Sequence, residues 1–303
     1  VRLLGDGRRT ESDTPQERAA AVLADLSKSG ESLPDIAEAG GVGPLVAMIT
    51  STSHKAQTSA ASTLWQLASN GTVDNRADIV FAGGIGRLVA LLEHGCADAQ
   101  RHAAGTLWHL SNSADSKAAI VSAGGIPPLV SVLGDLGTRS AEAQESAAAV
   151  LSELARTRPE NKIEIVDAGG IKPLISAVAG TSVGAQKHAV SALWALTQGP
   201  TAGEYKLAML AEDAVPPLLK LLDKESAGEG QGYAIATLHA LAEEHEGRTA
   251  IIASFGVEPL QDLVNRQETN ELPAWQKSTW LSNQASETLD LLYDHPLLSA
   301  HKP

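Results

Sequence analysis

Aromatic residues are nearly missing from this 303-residue sequence, which has five Trp, three Tyr and two Phe, or 3% of the chain. A core that cannot rely on rings must be assembled from Ala, Leu, Ile and Val. Ala and Leu are also strong helix formers, so the composition points to an all-α protein. Cys96 is the single cysteine; this excludes an internal disulfide and is compatible with a reducing compartment. No apolar run comes near the roughly 18 residues that a membrane-spanning helix needs, so membrane insertion is not expected. Bases are also in short supply. Lys and Arg total 23 against 36 Asp and Glu, a formal charge of −13, which argues against nucleic acid or an anionic membrane as partner. The deficit is uneven: residues 201–303 carry 16 acids and 7 bases, and so −9 of the −13. Such a surplus reads as a solvated surface or as a region that steers a basic partner. The opening Val1-Arg2-Leu3-Leu4 has neither an initiator methionine nor the long apolar stretch of a secretory signal. The N-terminus is therefore expected to be processed or truncated.

What the sequence does contain is itself, several times over. "AGGVGPLV" from Ala39 returns as "AGGIGRLV" from Ala82, "AGGIPPLV" from Ala123 and "AGGIKPLI" from Ala168, and more weakly as "EDAVPPLL" from Glu212 and "SFGVEPLQ" from Ser254. The β-branched residues of these copies, Val42, Ile85, Ile126, Ile171, Val215 and Val257, lie at intervals of 43, 41, 45, 44 and 42. A second column runs in phase through segments such as "TLWQLAS" and "TLWHLSN", with leading leucines Leu23, Leu64, Leu107, Leu151, Leu193 and Leu238. A third, Ile36, Ile79, Ile120, Ile165, Met209 and Ile251, precedes each corner by three residues. Periods of this length mark stacked repeat architectures.

Each unit reads as three helices. The first is short, as in Asn161 to Asp167, with Asn75 and Asn161 suited to its N-cap. A Gly-Gly step ends it, because glycine accepts the left-handed conformation at a helix terminus. Pro127, Pro173 and Pro216 stand where the second helix begins, a position that tolerates proline. A polar loop leads to a longer third helix such as Ala99 to Asn112, whose Ala103, Leu107 and Leu110 share one face.

This pattern resembles the armadillo repeat, a unit of about 42 residues. HEAT repeats are the near neighbour, but the AGGI-P-L-V corner favours armadillo. The resemblance covers nearly the whole chain. It implies a right-handed superhelical α-solenoid of about six full repeats plus a partial N-terminal one. The expected organisation is a single solenoid over 1–303, with a partial repeat at 1–30 and repeats at 31–73, 74–114, 115–158, 159–201 and 202–246. A divergent C-terminal repeat and cap fill 247–303. Val1 to Asp6 aligns with Val130 to Asp135, a second helix. The chain is therefore expected to begin inside a repeat, as a fragment of a longer polypeptide or else with a degenerate capping repeat. Towards the other end the chain expands through "NRQETNELPAWQKSTW" before a helix around Ser286 to Tyr293. There Trp275 and Trp280 are expected to cover the last apolar face or to touch a ligand.

The resemblance further implies that the third helices line a concave groove holding a partner segment. Neighbouring helices stand about 10 Å apart, a span that about three residues of extended peptide cover. The family's groove Asn lies two residues after the leading leucine; those positions here are Gln66, His109, Glu153, Ala195 and Ala240. One turn earlier come Ser62, Gly105, Ala149, Ser191 and Ala236, and two turns earlier Ser59, His102, Ser146, His188 and Tyr233. The importin-α type reads nuclear localisation signals with Trp one turn before that Asn. Here both residues are absent, so an import-adaptor role is not expected, and the basic groove of the β-catenin type is missing too. The candidate partner-binding residues are Ser59, Ser62, Gln66, His102, His109, Ser146, Glu153, His188, Ser191 and Tyr233. They form a nearly neutral surface suited to a partner helix or to main-chain hydrogen bonding. Trp65, Trp108 and Trp194, with His239 in the same slot, follow the leading leucine by one residue, about 100° round the helix. They read as packing between repeats or as an aromatic edge that grips a partner.

Catalytic and metal-binding patterns do not emerge. His94-Gly95-Cys96-Ala97-Asp98 reads as the loop between second and third helices and falls short of a zinc ligand set. His102 and His109, two turns apart, read as groove polarity, with a pH-sensitive groove as the sharper alternative. Gly40-Gly41 and Gly83-Gly84 are helix corners, since no strand precedes them as in a phosphate loop. No cofactor, metal or nucleic-acid partner is expected. The expected function is a non-enzymatic scaffold or adaptor binding a protein partner. The alternatives are the substrate-binding region of a ubiquitin ligase of the U-box type, or a structural subunit of a large assembly. Cytoplasm is the default compartment, with nuclear, ciliary and organellar locations left open.

Overall fold

Regular three-helix repeats dominate the computed structural model, which describes residues 15–70, 73–134, 140–222, 229–268 and 279–298. Helix α1 (Pro15–Ser27) is followed by α2 (Leu33–Glu38), α3 (Val42–Met48) and α4 (His54–Asn70). Next come α5 (Val73–Phe81), α6 (Gly84–His94) and α7 (Ala97–Leu110), then α8 (Ala114–Ser122), α9 (Ile126–Gly134) and α10 (Ala141–Ala155). The series continues with α11 (Pro159–Asp167), α12 (Ile171–Ala179) and α13 (Val183–Leu196), and with α14 (Ala202–Ala211), α15 (Val215–Leu222) and α16 (Glu229–Ala242). It closes with α17 (His245–Ala253), α18 (Val257–Glu268) and α19 (Thr279–Tyr293). Among the described residues there is no strand, and no single helix is long and apolar enough to cross a membrane.

The helices form two compact units, one ending at Glu153 and the other beginning at Leu154. In the first, α4 packs between α1 and α7, and α6 packs on α7 and α9. In the second, α16 packs between α13 and α19, α15 between α12 and α18, and α14 against α17. The three sequence columns are the cores of these stacks. Leu64, Leu107 and Leu151 in one unit and Leu193 and Leu238 in the other are completely buried, as are Ile79, Ile120, Ile165, Met209 and Ile251. Each such side chain contributes about 1.5–3 kcal/mol by leaving water.

The corner between first and second helix has a common geometry. Its second glycine donates its N–H back to the isoleucine column: Gly41 to Ile36 O and Gly125 to Ile120 O at 2.9 Å, Gly170 to Ile165 O at 2.8 Å. This is the Schellman closure of a helix end. Two polar columns, invisible to an apolar period, fasten the remaining ends. A glutamine in the first turn of the third helix donates to the end of the second helix. Gln100 reaches Leu92 O at 2.7 Å, Gln186 reaches Val178 O at 3.0 Å and Gln231 reaches Leu222 O at 3.1 Å. In five of the six repeats, a base three residues before the buried Ile or Met meets the C-terminal end of a third helix, where free carbonyls and the helix dipole favour positive charge. Arg76 donates to Ala68 O, Lys162 to Gln198 O and Arg248 to Ala242 O, while Lys117 meets Glu153 and Lys206 meets Glu243.

The expected N-cap role of Asn75 and Asn161 is corrected here. Both lie inside their helices, since α5 begins at Val73 and α11 at Pro159. Buried Asn161 instead sends its Nδ2 to Leu154 O at 3.0 Å. Pro159 already starts the helix, so this amide is free to secure the preceding turn. Pro127 and Pro216 stand second in α9 and α15, and Pro173 third in α12. The expectations for Val1 to Asp6, for Trp275 and for the side chain of Trp280 lie outside the described residues.

Candidate functional site

The candidate row is carried by third helices, and each unit presents its own stretch. In the first unit α4 bears Ser59, Ser62 and Gln66, α7 bears His102 and His109, and α10 bears Ser146 and Glu153. In the second unit α13 bears His188 and Ser191, and α16 bears Tyr233. Ser59, Ser62, Gln66, His109, Glu153, His188 and Tyr233 are partly accessible. His102, Ser146 and Ser191 are buried, with 7%, 5% and 3% of their surface exposed.

The burial of His102 has a visible cause. The residue after the leading leucine leans onto the next third helix, and it lands on the row. The indole of Trp65 stands 5.3 Å from the ring of His102, centroid to centroid, tilted by 41°. In the second unit Trp194 stands 5.5 Å from Tyr233 at 45°, and His239 reaches Thr288 of α19 through Nδ1 at 3.2 Å. Trp108 stacks on the adjacent His109 at 5.4 Å. At Trp65, Trp194 and His239 the slot thus reaches a neighbouring helix of the same unit, and Trp65, Trp108 and Trp194 all remain partly accessible.

Electrostatically the row is quiet. Burial first, and then the charge of Arg101, push His102 down from 6.5 to about 4, with Asp98 opposing. Arg101 Nη2 lies 3.3 Å from His102 Nε2. A guanidinium can only donate, so Nε2 accepts and the proton of the neutral ring sits on Nδ1. Burial and then Arg76 lower His109 as well. Charged side chains on or beside the row are held by partners. Glu153 pairs with Lys117 of α8 at 2.7 Å. Arg101 pairs with Asp98 at 3.4 Å and with Glu142 at 3.5 Å. Lys187 pairs with Glu229 at 2.7 Å, and its hydrogen bond, then its charge, lower the carboxyl pKa. Arg101 and Lys187 occupy equivalent repeat positions, as do Glu142 and Glu229, so each unit repeats the same cross-helix pair. Among neutral groups, Gln66 Oε1 accepts from Asn70 at 2.8 Å, and the Tyr233 hydroxyl lies 3.5 Å from Arg156 Nη1.

The sequence columns Arg101/Lys187 and Glu142/Glu229 were in phase and discoverable, but a search weighted to apolar positions passes over them. Among the described residues no group of three His, Cys, Asp or Glu is placed to hold a metal ion. Cys96 lies with its Sγ 3.4 Å from Thr58 Oγ1. The arrangement can offer aromatic faces, amide and hydroxyl groups and neutral imidazole to another molecule.

Comparison with known proteins agrees with this architecture. The profile of the Armadillo/beta-catenin-like repeat matches residues 33–69, 72–112, 113–156 and 158–197. An engineered protein of known structure is 31% identical, with a TM-score of 0.74 over 97% of this chain and 67% of its own. A designed armadillo repeat protein superimposes with a TM-score of 0.64 at 24% identity, covering 79% of this chain and 97% of its own. Another, solved in complex with the peptide (KR)4, gives 0.63 at 22% identity, covering 83% and 99%. A search of curated proteins gives no match. With its repeats matched over more than half its length, the chain belongs to the armadillo repeat family.

Proposed function

We propose that this chain is a non-enzymatic protein-interaction scaffold that binds a partner segment along its third-helix face. The observation that carries this reading is the combination of exposed row polarity with internally paired charge. Glu153 is neutralised by Lys117, and Glu229 by Lys187, so the row has little free charge with which to demand a charged ligand. Gln66, His109, Ser59 and Ser62 remain as partly accessible hydrogen-bonding groups beside Trp65 and Trp108. One designed protein of this fold was solved with (KR)4. The acids of the row in this chain are already engaged, so the segment proposed for it is weakly charged and held through its main chain and apolar side chains.

The test is affinity purification with mass spectrometry, comparing the unaltered chain with the combined variant Gln66→Ala, His109→Ala and Glu153→Lys. Circular dichroism confirms that the variant is folded. A defined partner that disappears with the folded variant supports the reading. A partner recovered at an unchanged level overturns it, and places the principal interface elsewhere on the chain.

A further inference from the structure

Each repeat closes the corner between its first and second helices with one residue in the left-handed region. Four repeats place glycine there: Gly40, Gly83, Gly124 and Gly169, with φ of 69°, 73°, 70° and 74°. The last two corners of the second unit depart from this. The first of them has Asp213 at φ 56°, and the second has Phe255 at φ 58°. Aspartate visits this region through local hydrogen bonding, but a bulky side chain there brings Cβ against the carbonyl oxygen and is disfavoured. The ring obtains no compensating burial, for Phe255 is 84% exposed. Its neighbour Gly256, by contrast, packs tightly enough that a Cβ would lie 2.6 Å from Ile251 Cγ2. Backbone strain and an exposed ring coincide at one residue, and folding explains neither.

The surroundings indicate what covers the ring. Helix α14 packs on α17, and α15 on α18, so the Asp213 corner is the immediate neighbour of the Phe255 corner. Glu258 stands three residues after Phe255, in the first turn of α18. Asp213 and Glu258 are exposed, and neither forms an ion pair among the described residues. An exposed ring with one acid at the neighbouring corner and another three residues along its own chain matches an amphipathic helix, whose apolar stripe is bordered by polar residues. The two exposed acids favour basic residues there.

We propose that the Phe255 corner is a docking point for a basic amphipathic helix, separate from the third-helix face. The apolar stripe of the partner covers the ring of Phe255, and its Lys or Arg side chains reach Asp213 and Glu258. Phe81 supplies an internal comparison. It is 95% exposed and stands two residues before Gly83 of an earlier corner, but it ends the regular helix α5.

The test is fluorescence anisotropy on the full chain with a labelled synthetic helix of Leu and Lys, its leucines at helical spacing. The same helix with Glu in place of Lys is the charge control. Phe255→Gly, with its fold retained, should weaken binding of the Lys peptide by about tenfold or more. Asp213→Lys should weaken it too. Phe81→Ser and the combined Gln66, His109 and Glu153 variant should leave it unchanged. That last comparison separates this surface from the third-helix face. Absence of binding, equal binding by Phe255→Gly, an equal loss in Phe81→Ser, or equal binding of the Glu peptide overturns the proposal.

Discussion

The indole of Trp65 lies so close over Gly105 that a Cβ on that glycine would come within 2.7 Å of Nε1 and 2.9 Å of Cε2. Glycine inside a helix ordinarily lowers stability by about 1 kcal/mol relative to alanine. Here the neighbouring third helix requires it, because the next repeat must admit an indole against its backbone. Gly105→Ala should therefore destabilise the protein by about 1–2 kcal/mol, the overpacking outweighing the gain in helix propensity. In a Trp65→Leu background the same change should be neutral or stabilising. Urea unfolding of the four proteins gives the coupling directly, and additivity would show that the contact does not constrain residue 105.

The two glycines of a corner do different work. A Cβ on Gly83 would meet nothing within 4 Å, and only its φ of 73° opposes substitution. A Cβ on Gly84 would lie 2.6 Å from Ile79 O. Gly83→Ala should cost about 1 kcal/mol, from backbone strain alone. Gly84→Ala should cost about 2–3 kcal/mol, because the first helix must move. Thermal denaturation of both variants tests this order.

At Phe255 the balance reverses. Phe255→Gly relieves the left-handed strain and removes a side chain that is 84% exposed. It should stabilise the protein by about 1 kcal/mol, after allowing for the freer unfolded chain of glycine. A lower melting temperature would mean that the ring supports the fold, and would weaken the case for a docking role.

The repeats were legible because apolar residues recur in phase, and that phase is what a stacked core demands. Leu64, Leu107, Leu151, Leu193 and Leu238 stand out from the sequence alone, and all are buried. The direction of Trp65 followed from its place one residue after Leu64. Its landing on Gly105 did not, because that depends on the offset between two stacked helices. Pairing along the row was hidden for the same reason: Lys117 and Glu153 meet at 2.7 Å, yet only the packing of α8 beside α10 brings them together. Asn161 misled because a local capping rule assumes that the residue precedes the helix. Pro159 starts α11 two residues earlier, which turns the same amide into a tie to Leu154. The basic column of Arg76, Lys117, Lys162, Lys206 and Arg248 was fully visible in the repeat phase. Its meaning needed the helix ends it meets.

Within that basic column burial should set the energetic ranking. The Lys206 side chain is only 8% exposed and faces Glu243 at 2.5 Å and Glu244 at 3.4 Å. Lys206→Ala leaves two adjacent carboxylates without their cation and removes packed methylenes, at a cost of about 1–2 kcal/mol. The exposure of both glutamates holds the value to that range. Lys172, 74% exposed beside Glu212, should lose less than about 0.5 kcal/mol on the same change. Guanidinium is unsuitable for this comparison because it screens charge; urea unfolding at low and high salt distinguishes the two sites.

His102 should make the first unit sensitive to mild acid. In the folded protein its pKa is lowered from 6.5 to about 4, while the unfolded chain titrates near the ordinary value. Between those limits the unfolded state binds the extra proton, so stability rises with pH through this window. It falls as the pH is lowered from about 6.5 to about 4, and levels off below, where both states are protonated. The shift corresponds to about 2–3 kcal/mol over the whole window. His102→Leu keeps an apolar contact for Trp65 and removes the titrating group. The stability difference between the unaltered protein and this variant should shrink or invert by that amount between pH 7 and pH 4. His109, lowered in the same direction, is present in both proteins and largely cancels. Because burial is the larger cause and Arg101 the smaller, Arg101→Gln should retain most of the pH dependence. Parallel stability curves for the unaltered protein and His102→Leu would mean that the imidazole is hydrated in the fold, and that the seam beneath Trp65 is open to water.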